Sequence, residues 1–284
     1  DIKKALNYIP ELNRNYIKLF NVDFLNLDSL PSDINPSYIL HMATTTAYET
    51  FNNFSQILKF QVLRNSSEAI SKLISKGNVK RLLFVSSGIA YGISKNYEEN
   101  EISNLDHFDN KNSLAFGKIF SEFYLNSICK INDTEFKVAR CFSFISKYMP
   151  VDLHYAIGNF VRDAVLKKDI LIRSDGKDVR SYQNVIDAVE WLSFLMIKDF
   201  KPTIVNVGSD KAISIINLAR NIKYLLNSPS EIIVLNQPVP NDNSKRNYYV
   251  PSLKNANKLG LSESIDLDKS ILLLSNYLRK FYAV

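Results

Sequence analysis

Lys80-Arg81-Leu82-Leu83-Phe84-Val85-Ser86-Ser87 decides the fold. Its middle is apolar without alternation, as in a strand covered on both faces, and such strands belong to parallel sheets flanked by helices. It ends in two hydroxyls. In open α/β sheets ligands sit beyond the carboxyl ends of the strands, so Ser86 and Ser87 mark the expected place of a site. Outward from this run, short apolar stretches alternate with amphipathic ones. Strands are expected at Tyr16–Leu19, Tyr38–His41, Arg81–Ser86, Lys137–Phe142, Ile170–Ile172 and Ile204–Val207. Helices are expected at Ile57–Ser75, Leu114–Ile128, Ala156–Leu166, Val185–Ile197 and Ile215–Leu226, the last behind Ser214 as N-cap. The fold class is therefore α/β, a doubly wound parallel sheet.

The 284 residues are 46% hydrophobic, 23% charged and 12% aromatic, an ordinary composition for a folded chain with a substantial core. No apolar run approaches ~20 residues, so no membrane span is expected. Asp1-Ile2-Lys3-Lys4 does not resemble a secretory signal. Cys129 and Cys141 form no CxxC, and His41, His107 and His154 are far apart, so neither a metal site nor a disulfide framework is expected. Two reduced thiols in a cytoplasmic protein is the simpler reading. The net charge of +6 is spread over short pairs such as Lys80-Arg81 and Lys167-Lys168, which argues against a nucleic-acid partner.

The first glycine is Gly77. A dinucleotide-binding βαβ unit needs a glycine-rich turn, because only glycine lets the backbone approach a pyrophosphate closely. The expectation is that the first strand and its phosphate loop lie outside this sequence, and that the chain as it stands binds NAD or NADP weakly or not at all.

Ser86-Ser87-Gly88-Ile89-Ala90-Tyr91-Gly92 resembles the SSxxxYG element of the NAD-dependent epimerase/dehydratase family, within the extended short-chain dehydrogenase/reductases. The resemblance continues in order through Ala139-Arg140-Cys141-Phe142, Ala156–Phe160, Asp175-Gly176, Arg180-Ser181-Tyr182, Asp187 and Asn206–Ser209. It ends on Arg246 with Tyr249-Val250-Pro251 and Leu259-Gly260-Leu261. It implies a Rossmann core over residues 1–143 that also receives about 178–207. A smaller nucleotide-sugar lobe is implied over 144–177 and 208–284. It implies NAD or NADP, NAD favoured, a nucleoside-diphosphate sugar as partner, and a homodimer as the assembly to look for. Carried over by motif, Asp23 and Phe24 meet the adenine, and His41 and Ala43 line the cofactor. Ser87 is the catalytic hydroxyl, and Lys118 is the lysine of YxxxK. Asn159, Arg180 and Arg246 belong to the substrate site, where a guanidinium fork suits phosphate. The plainer alternatives stay open. Asp23 opens a turn, Ser87 caps a strand end, Lys118 is a solvated helix charge, and the two arginines sit in surface ion pairs.

The pattern breaks at Leu114, four residues before Lys118, where the family has its tyrosine acid/base. Leucine exchanges no proton, and losing a general acid/base typically costs about 10²- to 10⁴-fold. Gly88 and Ile89 stand where the resemblance puts the acidic pair of dehydratases, and no carboxylate lies between Ser87 and Tyr91, which disfavours dehydration and decarboxylation. The expected activity is sugar epimerisation or keto/hydroxyl redox in surface-polysaccharide synthesis. The rival is a catalytically silent relative that binds a nucleotide sugar or a partner enzyme.

Overall fold

The computed structural model describes residues 2–9, 12–25, 31, 33–45, 55–153, 155–235 and 248–283. Asp1, His154 and Arg246 lie outside the described residues. The first half runs α1 (Ile2–Tyr8), β1 (Tyr38–His41), α2 (Gln56–Ile74), β2 (Arg81–Ser87), a 3-10 turn (Gly88–Tyr91), α3 (Ser113–Ile131) and β3 (Glu135–Cys141). It continues through β4 (Phe144–Ile145), α4 (Ala156–Val165), β5 (Ile170–Ile172), β6 (Val179–Arg180), β7 (Gln183–Asn184), α5 (Val185–Ile197) and β8 (Ile204–Val207). The chain closes with β9 (Ile213–Ser214), α6 (Ile215–Leu225), β10 (Ile232–Val234), β11 (Tyr248–Tyr249), α7 (Lys254–Lys258) and α8 (Leu267–Tyr282).

The main sheet has four strands in the order β1-β2-β3-β8, all parallel. Strand β2 is interior, and Leu82, Leu83 and Phe84 are fully buried. Successive side chains of a strand face opposite ways. Leu82 and Phe84 pack with Ile70 and Ile74 of α2 and Leu125 of α3. Leu83 packs on the other side with Trp191 and Leu195 of α5. Each such side chain contributes about 1.5–3 kcal/mol on burial, so helices on both faces hold the strand in place. Arg81 ties the sheet to α5: its guanidinium donates to the carbonyls of Met196 at 2.9 Å and Lys198 at 2.7 Å, satisfying the last turn of that helix.

A second apolar cluster joins α4, α6 and α8 around β5, with Phe160, Ile172, Leu218 and Leu274 buried in it. Ser214 caps α6 as expected, its Oγ accepting from the Asn217 N–H at 3.4 Å. Leu253, Ala256 and Leu261 join the sheet-side cluster with Leu83 and Val205. That stretch therefore packs on the Rossmann sheet, although the sequence division places it with the smaller lobe.

One expected strand is absent. Tyr16–Leu19 is a turn followed by irregular chain, with the Ile17 N–H returning to the Arg14 carbonyl at 2.9 Å. A strand needs a ladder partner, and none of the described strands pairs with this stretch. Local β-propensity without a partner does not make a strand.

Candidate functional site

At the carboxyl end of β2 the chain turns sharply. Ser87 Oγ accepts from the Ile89 N–H at 3.3 Å and caps the 3-10 turn that follows. Beside this turn opens a cavity of about 910 Å³, whose wall includes Ser87, Leu114, Phe142, Asn159, Arg180 and Tyr249. It lies where an open α/β sheet places its ligands. Ser87 is half-buried, and its hydroxyl is 3.5 Å from that of Tyr249.

Helix α3 supplies the facing wall. Leu114, Lys118 and Glu122 are spaced by four residues and so share one helix face. Leu114 reaches the cavity. Lys118, one turn deeper, is 4% exposed and is not part of the cavity wall. Its ammonium donates to the Val85 carbonyl at 2.8 Å and lies 5.0 Å from the centre of the Phe84 ring. Burial lowers its pKa to about 8, partly offset by Cys141 and Glu122. Lys118 is thus not a solvated helix charge.

This burial has a measurable consequence. A lysine whose folded pKa lies below the unfolded value makes the folded state bind fewer protons than the unfolded one between the two values. Stability therefore rises with pH across that window. For Lys118 the window runs from about 8 to 10.5. Below it the buried ammonium costs about 3 kcal/mol, at 1.36 kcal/mol per unit. The stability difference between the natural chain and Lys118→Met should therefore move in favour of the natural chain between pH 7.5 and about 10.5. Urea unfolding of both chains checks this, and a difference independent of pH would show that the ammonium is solvated.

Glu122 extends the same face under the strand end. Arg140 of β3 holds it with two bonds, Nε to Oε1 at 3.0 Å and a terminal nitrogen to Oε2 at 2.7 Å. Ser86 donates to Oε1 of the same carboxylate at 2.5 Å. The guanidinium also lies 4.2 Å from the Tyr91 ring centre, and the Tyr91 hydroxyl donates to Asn206 Oδ1 at 2.8 Å. This network fixes β2, α3 and β3 to one another at the carboxyl end of β2.

The other residues named from sequence are spread more widely. Asn159 and Arg180 share the cavity with Ser87. Asn159 donates to the Leu153 carbonyl at 2.8 Å, and Arg180 lies 3.7 Å from Asp178. His41 is turned inward, 5.2 Å from the Phe84 ring and 3.4 Å from Ser66 Oγ, with its pKa lowered to about 3 by burial and by Lys118. It is a neutral interior imidazole. Ala43 and Phe24 are half-buried. Asp23 is exposed and accepts the Leu25 N–H at 2.9 Å, the geometry of a turn-opening aspartate. Tyr249 was not among the expected site residues. It stands 162 positions from Ser87 in sequence, and no local pattern links the two.

Among the described residues no group of three His, Cys, Asp or Glu side chains is gathered as metal donors, and no helix is long and apolar enough to cross a membrane.

Residues 3–208 match the model of the family described as NAD dependent epimerase/dehydratase. The chain is 26% identical over 207 residues to UDP-glucuronic acid decarboxylase 1 of Xenopus tropicalis, covering 70% of this chain and 47% of that protein. It is 25% identical over 251 residues to the UDP-N-acetyl-alpha-D-glucosaminuronate decarboxylase of Bacillus cytotoxicus, covering 81% of this chain and 72% of that one. It thus spans about half the length of the Xenopus relative. Among solved structures, the UDP-glucose 4-epimerase of Thermus thermophilus in complex with NAD superposes with a TM-score of 0.78 at 17% identity, covering 95% of this chain and 87% of the epimerase.

Proposed function

The chain belongs to the NAD dependent epimerase/dehydratase family, and from that premise we propose that it takes a nucleoside-diphosphate sugar into the cavity at the end of β2. The reaction is epimerisation or keto/hydroxyl redox at a sugar carbon. One observation carries the reading: Ser87, Asn159 and Arg180 come from three separate segments and line the same cavity of about 910 Å³. In this reading Ser87 receives a sugar hydroxyl, while Asn159 and Arg180 meet the diphosphate or nearby sugar groups. Arg246, outside the described residues, enters this reading from its motif alone.

NAD is the proposed cofactor. An ammonium carries three N–H donors, and Lys118 spends one on Val85, which leaves it suited to ribose hydroxyls at this strand end. Asp23, Phe24 and Ala43 mark the rest of its path, whereas the His41 imidazole is turned into the interior. These 284 residues hold no glycine-rich turn for its diphosphate, so the fit covers the ribose end alone. The group would accept or return a hydride there.

Decarboxylation, the activity in the names of the sequence relatives, is not the proposed reaction, since residues 88–91 contain no carboxylate. A cytoplasmic homodimer in surface-polysaccharide synthesis is the setting we favour. In this reading the Rossmann unit comprises residues 1–143 with about 178–207, and the nucleotide-sugar lobe comprises 144–177 with 208–284, less the stretch from Leu253 to Leu261 that packs on the sheet. Leu114 supports a second reading, a silent relative that binds the sugar nucleotide without converting it.

Calorimetry with UDP-glucose, UDP-glucuronic acid and UDP, with and without NAD, tests the proposal. Micromolar binding of a UDP-sugar, stronger than that of UDP, is the expected result. Absence of binding by all three overturns it.

A further inference from the structure

Leu114 leaves α3 without a phenol at the cavity, yet a phenol arrives there from another part of the chain. Tyr249 sits on β11, paired opposite Arg180 of β6. Its ring packs against Phe142 at 4.7 Å and meets Tyr97 edge-on at 5.5 Å, which fixes its direction. Its hydroxyl ends 3.5 Å from Ser87 Oγ, and both residues line the cavity together with Leu114. Gly88 makes the approach feasible. A Cβ at that position would stand 2.8 Å from the Tyr249 hydroxyl and 2.6 Å from the Phe142 ring, so a side chain there would push the phenol away.

We propose that Tyr249 is a binding residue of the sugar site, its hydroxyl and that of Ser87 together holding one sugar oxygen. The inference rests on the nucleotide-sugar reading above and names the group that meets the sugar. Two hydroxyls 3.5 Å apart are at the outer limit of a mutual hydrogen bond. Each can turn to a third oxygen that lies to one side within reach of both, and each can donate or accept. Burial pushes the Tyr249 phenol well above the ordinary tyrosine range. At neutral pH it therefore keeps its proton and can donate it in a hydrogen bond that orients the sugar oxygen. It does not exchange a proton there, and the exchange position stays with residue 114.

The test is calorimetry of UDP-glucose and UDP on the natural chain, Tyr249→Phe, Ser87→Ala and the double variant. Tyr249→Phe removes one oxygen and keeps the ring packing. It should weaken UDP-glucose by about fivefold to tenfold, the effect of one lost hydrogen bond, and leave UDP unchanged. The losses in Tyr249→Phe and Ser87→Ala should combine to less than their product, because both hydroxyls hold the same oxygen. Equal weakening of both ligands would mean that Tyr249 only shapes the cavity, and this overturns the proposal. So does an unchanged affinity for both, or losses that multiply fully. A natural chain that binds UDP and not UDP-glucose removes the sugar site and this proposal with it. One that binds neither overturns the functional reading as well.

Discussion

Leu114→Tyr should raise turnover of a nucleoside-diphosphate sugar by about 10²-fold or more over the natural chain, the lower range of what a general acid/base supplies. The position is prepared for a phenol. Residue 114 already faces the cavity that Ser87 lines, so a hydroxyl there would meet a bound sugar. Lys118 lies one helical turn along the same face, pinned to the Val85 carbonyl at 2.8 Å. An ammonium this close favours the phenolate and brings its pKa toward the working range. The phenolate fraction rises with pH, and its stabilisation ends where the Lys118 ammonium loses its proton, so the variant's turnover should pass through a maximum. Turnover of both chains on UDP-glucose and UDP-glucuronic acid, with NAD and with NADP between pH 7 and 9, is the measurement. A natural chain as fast as the variant would mean that another group carries the proton. Binding without turnover in both favours the silent relative.

What the sequence made legible follows from the range of the forces involved. The run Arg81–Ser86 is readable because burial on both faces leaves no alternation, and the strand observed runs one residue further, to Ser87. The helices expected at Ile57–Ser75 and Leu114–Ile128 appear as Gln56–Ile74 and Ser113–Ile131, since periodic burial is written into consecutive residues. Tyr16–Leu19 misled because a strand is a property of a pair, and its composition says nothing of a partner. The cavity wall was half legible. Ser87, Asn159, Arg180 and Tyr249 stood in ordered motifs and Leu114 where one of them breaks, but the motifs do not bring Tyr249 to Ser87, whereas the pairing of β11 with β6 does. Lys118 was placed correctly on its helix, but its burial depends on Phe84 and Val85, whose side of the sheet no local pattern reveals.

The Arg140–Glu122 pair was likewise invisible, and removing one half of it should give the largest loss of stability. Arg140→Leu should destabilise the fold by about 3–5 kcal/mol, because a buried carboxylate deprived of its cation keeps its desolvation cost and loses its compensation. The side chains of Arg140 and Glu122 are only 10% and 12% exposed, so water cannot take over that role without moving the helix. Among the described residues, Ser86 alone would remain as side-chain donor to the carboxylate. The strain would then fall on α3, and Lys118 lies one turn away on the face that Glu122 anchors. Urea unfolding gives the first measurement. The second is the double variant Arg140→Leu with Glu122→Met, in which no buried charge is left over. It should recover most of the lost stability, since an apolar pair of similar volume often does as well as a buried ion pair. If the double variant is as unstable as the single one, the arginine acts through its contact with the Tyr91 ring, 4.2 Å away, and the carboxylate is not what it holds. Restored stability with UDP-glucose binding intact would assign the pair to the fold. Restored stability with weakened binding would show that its geometry also sets the end of β2, where Ser87 meets the ligand.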